Sequence, residues 1–147
     1  MEEMVDYLCR IHPLSPECLA YLRKVIGFRK LAKNELLLQI GDVDRHLYFM
    51  KSGALHCYYF KEGKAMPDWY FSDKESVVPL ASFYDQEPCE DCLVAQEDCE
   101  LYYITMGDYD YMMNTFNEFN YVTRRLAHYC GKALRQRVRF IRDHFDL

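Results

Sequence analysis

The chain has no long hydrophobic run. Across its 147 residues no apolar stretch approaches the ~20 residues that a membrane-spanning helix requires. The amino terminus, "MEEMVDYLCRIHP", has neither a basic leading segment nor an extended apolar stretch, which excludes the pattern of a secretory leader. A cytoplasmic location away from membranes is the expectation, with the seven cysteines as reduced thiols. An odd number of cysteines also cannot pair completely among themselves. Gly-rich phosphate loops are missing. So is the His-x-His pair by which a roll-type metalloenzyme holds its ion, and His46 and His56 stand alone. No nucleophile and base fall into a recognisable constellation, so the expectation is a protein that is not an enzyme and uses no metal or cofactor. The sharpest lack is of positive charge. From Glu75 to Thr123 there is no Lys, Arg or His, while the same 49 residues hold 11 acids.

What is present indicates a folded single domain. Half of the residues are hydrophobic and 16% are aromatic, well outside the composition of disordered chains. The net charge of −5 is uneven. Residues 1–116 carry 11 Lys and Arg against 20 Asp and Glu, and residues 117–147 carry 7 against 3. The acidic body does not suit a nucleic-acid surface.

Ser15-Pro16-Glu17 reads as a helix start, with Leu19, Leu22 and Ile26 as its apolar face and Gly27 as its stop. From residue 28 to 104 the texture changes. "ELLLQI", "HLYFM", "ALHCYYF", "WYF", "CLVA" and "LYYI" alternate with turn signals such as Gly41-Asp42, Lys51-Ser52-Gly53 and Glu62-Gly63. Short aromatic and β-branched segments at this spacing predict an antiparallel β-sandwich or roll. "TMGDYDYMMNTF" predicts a short helix capped by Thr105.

Asn117 can cap a much longer helix. Along it Phe119, Val122, Leu126, Cys130, Leu134, Val138, Ile141 and Phe145 recur at intervals of three or four, an apolar stripe of about seven turns. The fold class is therefore α+β: a jelly-roll-like antiparallel β-roll over residues 1–116 with an N-terminal helix and a short helix, then a long helix over 117–147. The stripe has two readings. It is the face of a solvated helix partly docked on the roll, or the face of a homodimerisation helix, which is the one expected here.

This order of elements, with "LLLQIGDVDRHLYFMKSGALHCYYF", resembles the sensor domain of the Crp/Fnr (catabolite-activator-type) transcription regulators. Gly41-Asp42, Leu47–Met50, Ser52-Gly53 and Ala54–Phe60 match the family's strand–turn–strand pattern. "VAQEDCELYYI" (94–104) resembles its last roll strands. The resemblance implies a ligand-sensing roll that dimerises through its long helix. The family reads DNA through a C-terminal helix-turn-helix, and "DHFDL" (143–147) falls about where the hinge leads into it. DNA contact is thus expected only through a domain that this sequence does not contain.

In relatives that bind cyclic AMP, a cassette opens with Gly-Glu, continues as an apolar turn and ends with an Arg that holds the phosphate. Here the corresponding stretch is "SVVPLASFYDQEPCEDC" (76–92), preceded by Lys74-Glu75. The Glu is retained, the Gly is not, and the Arg position falls at or near Cys89. The resemblance places an effector pocket near Trp69, Phe71, Glu75, Leu80, Ser82 and Cys89, with Arg135 and Gln136 reaching it from the long helix. An acidic lining suits a neutral or cationic small molecule, and cyclic AMP is not the expected ligand. Two alternatives remain open. One is a structural dimerisation module whose roll is filled. The other is a thiol- or metal-responsive sensor using Cys89 and Cys92, although a single Cys-x-x-Cys is half of a structural zinc site.

Overall fold

The computed structural model describes residues 1–73, 76–77 and 80–145, with side chains for all of these except 76, 77, 80, 81 and 145. Two helices come first, α1 (Glu2–Ile11) and α2 (Pro16–Val25). The strands β1 (Gly27–Leu31), β2 (Leu36–Leu38), β3 (His46–Ser52), β4 (Leu55–Lys61), β5 (Lys64–Phe71) and β6 (Ser76–Val77) follow. After them come α3 (Leu80–Asp85), β7 (Cys92–Ala95), β8 (Cys99–Thr105), α4 (Met106–Thr115) and α5 (Asn117–Phe145). The strands form two antiparallel four-stranded sheets, ordered β1-β8-β3-β6 and β2-β7-β4-β5. The sheets face one another without closing into a barrel, which bears out the α+β roll.

Two cores result, and β3 and β8 serve both. Side chains alternate across a strand. In β3, Leu47 and Phe49 pack against the helices with Met4, Leu8, Leu22 and Phe119. Tyr48 and Met50 point the other way, between the sheets, with Leu31, Leu37, Leu55, Cys57, Leu93 and Leu101. "HLYFM" reads as a continuous apolar run because both of its faces are buried.

Capping residues set the helix starts. The Ser15 hydroxyl accepts the Cys18 N–H at 3.2 Å, and Thr105 accepts that of Asp108 at 3.1 Å. Ser15 also donates to the carboxylate of Glu118, in the first turn of α5, which ties α2 to the long helix. Asn117 is inside α5 rather than its cap. Phe116 makes the corner instead: its N–H closes α4 on Met112 and its carbonyl accepts the Phe119 N–H at 3.0 Å. The roll is preceded by two helices, one more than the sequence suggests. In β5 the register slips beside Tyr58, which pairs with Pro67 while Cys57 pairs with Trp69, so Asp68 occupies a bulge. β5 is the outer strand of its sheet.

Candidate functional site

The cassette is held to the β2–β3 connection through Asp44. The Asp44 N–H donates to the Ser82 hydroxyl at 2.7 Å. The Gln86 amide donates to the carbonyls of Asp44 and Phe83, both at 2.8 Å, closing α3 at a residue with φ +53°. Cys89 donates its N–H to the Asp42 carbonyl at 2.7 Å and accepts the Gly41 N–H at 2.8 Å. Val43 and Pro88 form an isolated bridge beside it. The Asp44 carboxyl lies buried under this junction, with one oxygen accepting the His46 N–H at 3.1 Å. Its other oxygen has no hydrogen-bond partner among the described residues. Burial pushes this carboxyl up to about 7.

A second polar cluster joins three elements. Cys57 on β4, Asp68 at the β5 bulge and Asp91 just before β7 bring their ligand atoms within 4.8 Å of one another. The Cys57 thiol donates to Asp91 at 3.4 Å. Burial, and then the neighbouring Asp68, push Asp91 up to about 6. Burial, reinforced by Asp91, pushes the Cys57 thiol well above its ordinary range. Arg137 of α5 pairs with Asp68 at 3.2 Å and lies 4.8 Å from the centre of the Trp69 ring. All three side chains have partners, Cys57 donating to Asp91 and Asp68 pairing with Arg137.

The expected pocket residues are dispersed. Trp69 and Phe71 are half-buried against the inter-sheet core. Ser82 is buried and committed to Asp44, and Cys89 is buried in the inter-sheet core. Arg135 and Gln136 are exposed, and the helix residue that meets Trp69 is Arg137 instead. Glu75 lies outside the described residues, as do the side chains of Leu80 and Phe145.

The described cavity is an open cleft of about 660 Å³ at the end of the roll, lined by Ile40, Phe60, Glu87, Pro88, Cys89 and Glu90 with Gly41 at its edge. Only Cys89 is shared with the expected set. A signal for Phe60 exists in the sequence: Tyr58, Tyr59 and Phe60 are consecutive aromatics, so alternation must leave some of them outside.

The expected interface stripe divides in two. Phe119, Val122 and Leu126 are buried in the chain's own helical core, so they dock α5 on the body and are not available to a partner. Beyond them Cys130 and Ile141 are half-buried, while Leu134 and Val138 are 45% and 61% exposed. The paired thiols of the Cys-x-x-Cys also part company. Cys89 and Cys92 are both buried, and the metal-capable group among the described residues contains neither. All seven cysteines are free.

Two facing antiparallel sheets, a cassette helix before β7 and a long terminal helix are the architecture of a regulatory ligand-binding roll. The profile of the cyclic nucleotide-binding domain matches residues 28–116, and the chain belongs to that family. No curated sequence matches as a relative. Solved structures share the fold. A cyclic nucleotide-binding domain from Methylobacillus flagellatus KT superposes with a TM-score of 0.77 at 17% identity, over 98% of this chain and 81% of that one. The catabolite activator protein of Thermus thermophilus gives 0.72 at 21% identity, and the sensor domain of the transcriptional regulator DNR from Pseudomonas aeruginosa gives 0.70 at 20%. The chain is covered to 92% and 94% in these two, and spans 61% of the Thermus protein's length and 95% of the DNR domain. Among the described residues, no helix is long and apolar enough to cross a membrane.

Proposed function

We propose that this chain is the sensor and dimerisation domain of a Crp/Fnr-like transcription regulator whose cassette does not hold a cyclic nucleotide phosphate. The observation that carries this reading is the chemistry at the end of the cassette. Cys89 is buried, Glu90 is exposed, and Asp91 is engaged with Cys57 and Asp68. None of the three offers a cation where the resemblance puts the phosphate-binding Arg. A single carboxylate ~5 Å from a unit anion, at an effective dielectric of ~20, opposes it by about 3 kcal/mol. That is roughly a hundredfold in affinity. The missing guanidinium removes a charge-assisted contact besides.

Isothermal titration with cyclic AMP and cyclic GMP is expected to give no saturable heat at micromolar concentrations. Micromolar binding of either nucleotide overturns the reading. The second reading, a structural dimerisation module, is favoured by one observation: Leu31, Met50, Leu55, Leu93 and Leu101 fill the space between the sheets. On that reading the interior of the roll has no room for an effector.

A further inference from the structure

We propose that the cleft between Phe60 and the 87–90 turn is a binding site for a small organic cation, an ammonium group on a short apolar frame. This deepens the reading of the chain as a sensor of a non-nucleotide effector and rests on it. The cleft, about 660 Å³, lies within the size range of sites that take small molecules. Its apolar walls are Ile40, Phe60 and Pro88. Ile40 and Phe60 are 41% and 52% exposed, large apolar side chains left uncovered by the rest of the chain. The Phe60 ring is held edge-on against Tyr58 at 5.7 Å between centroids. An aromatic face beside carboxylates attracts a cation through its quadrupole as well as through burial.

The polar groups of the cleft all carry one sign. Glu87 and Glu90 flank Pro88 and Cys89, and neither has an ion-pair or hydrogen-bond partner among the described residues. Among the described residues, no Lys, Arg or His lines the cleft. The turn that bears the two carboxylates belongs to the 49-residue stretch without a basic residue. The floor is fixed, because Cys89 is clamped on both its N–H and its carbonyl by the 41–42 turn. A ligand bearing phosphate or carboxylate meets repulsion from every charged group here. A neutral ligand gains only the apolar walls. A cation with an apolar body engages both sets of groups.

The test is a titration of the isotopically labelled chain, followed by backbone amide NMR. The probes are choline and its uncharged isostere 3,3-dimethyl-1-butanol. Choline is expected to give saturable shifts confined to residues 40–42, 58–60 and 87–91, with binding about tenfold or more tighter than the isostere and weakened by salt. Glu87→Gln with Glu90→Gln, both at exposed positions, is expected to lower choline affinity about fivefold or more while leaving distant amides unshifted. Equal binding of choline and the isostere, shifts mapping elsewhere, or no saturation at millimolar choline each overturn the proposal. A parallel titration with cyclic AMP separates the two levels. Cyclic AMP binding defeats the nucleotide-silent reading itself, whereas silence to both probes defeats only the cation site.

Discussion

Asp44 illustrates how a single carboxyl can set the acid response of a fold. It is 2% exposed, and burial raises it from 3.8 to about 7. A raised value means that the folded chain holds the proton more tightly than the unfolded one. The stability contributed by this group is complete below pH 3.8, declines through the interval up to about 7 and is lost above it. The shift corresponds to roughly 4 kcal/mol at most. Asp44→Asn keeps an oxygen for the His46 N–H and removes the charge. Thermal melts should show the variant more stable than the parent at pH 8, with the advantage shrinking towards pH 4. An advantage independent of pH would show that the carboxyl titrates as it does in the unfolded chain.

Gly53 carries a different constraint. Its φ is +100°, and a Cβ there would stand 2.7 Å from the Cys99 sulfur and 2.8 Å from the Asp98 carbonyl oxygen. Gly53→Ala should destabilise by about 2 kcal/mol or more in denaturant titrations; an unchanged midpoint would refute the close approach. Gly53 was legible, because Lys51-Ser52-Gly53 between two apolar segments announces a turn. Asp44 was not, since an acid in "GDVDRH" looks like any solvated loop residue until Ser82 and Gln86 arrive from 38 and 42 positions away.

At the scale of elements, the apolar stripe of α5 is buried at Phe119, Val122 and Leu126 and exposed at Leu134 and Val138. Phe119→Ala opens a void in the helical core and should cost about 3–5 kcal/mol of unfolding free energy. Leu134→Glu with Val138→Glu touches positions exposed in the single chain, so each chain should keep its fold. Sedimentation should change instead, from about twice the chain mass to the chain mass. A wild-type chain that sediments as a monomer at high concentration would sink the dimerisation half of the proposed function. Periodicity revealed the helix and its apolar face. It could not reveal where the body ends, because an apolar residue at Leu126 and one at Leu134 look alike until tertiary packing covers the first. α1 escaped for a related reason: Met4, Val5, Leu8 and Ile11 form its buried face, but its start has no capping side chain to announce it. The strands were easier, since turn glycines and aromatic segments punctuate them. The segment "WYF" falls well short of β5, because Pro67 interrupts the pattern that its edge position tolerates, and β1 and β6 lie outside the expected segments.

For the molecule as a whole, charge and association act together. Arg137 on α5 pairs with Asp68 of the β5 bulge at 3.2 Å, with both partners half-buried. In the proposed dimer, two copies would meet through the exposed apolar residues of α5, Leu134 and Val138. The bulge and Pro67 in β5 bear on the same choice. An outer strand with free N–H and C=O groups is a template on which a second chain can grow into a fibre. Pro67 offers no N–H to such a neighbour, and the kink at Asp68 breaks the straight row of groups that it would need. Pro67→Thr should raise light scattering on prolonged incubation at concentrations where the parent stays clear, and equal clarity would argue against this role. Sheet-to-sheet growth, which has no natural stopping point, is blunted at this edge, while the proposed pairing of helices would be complete at two.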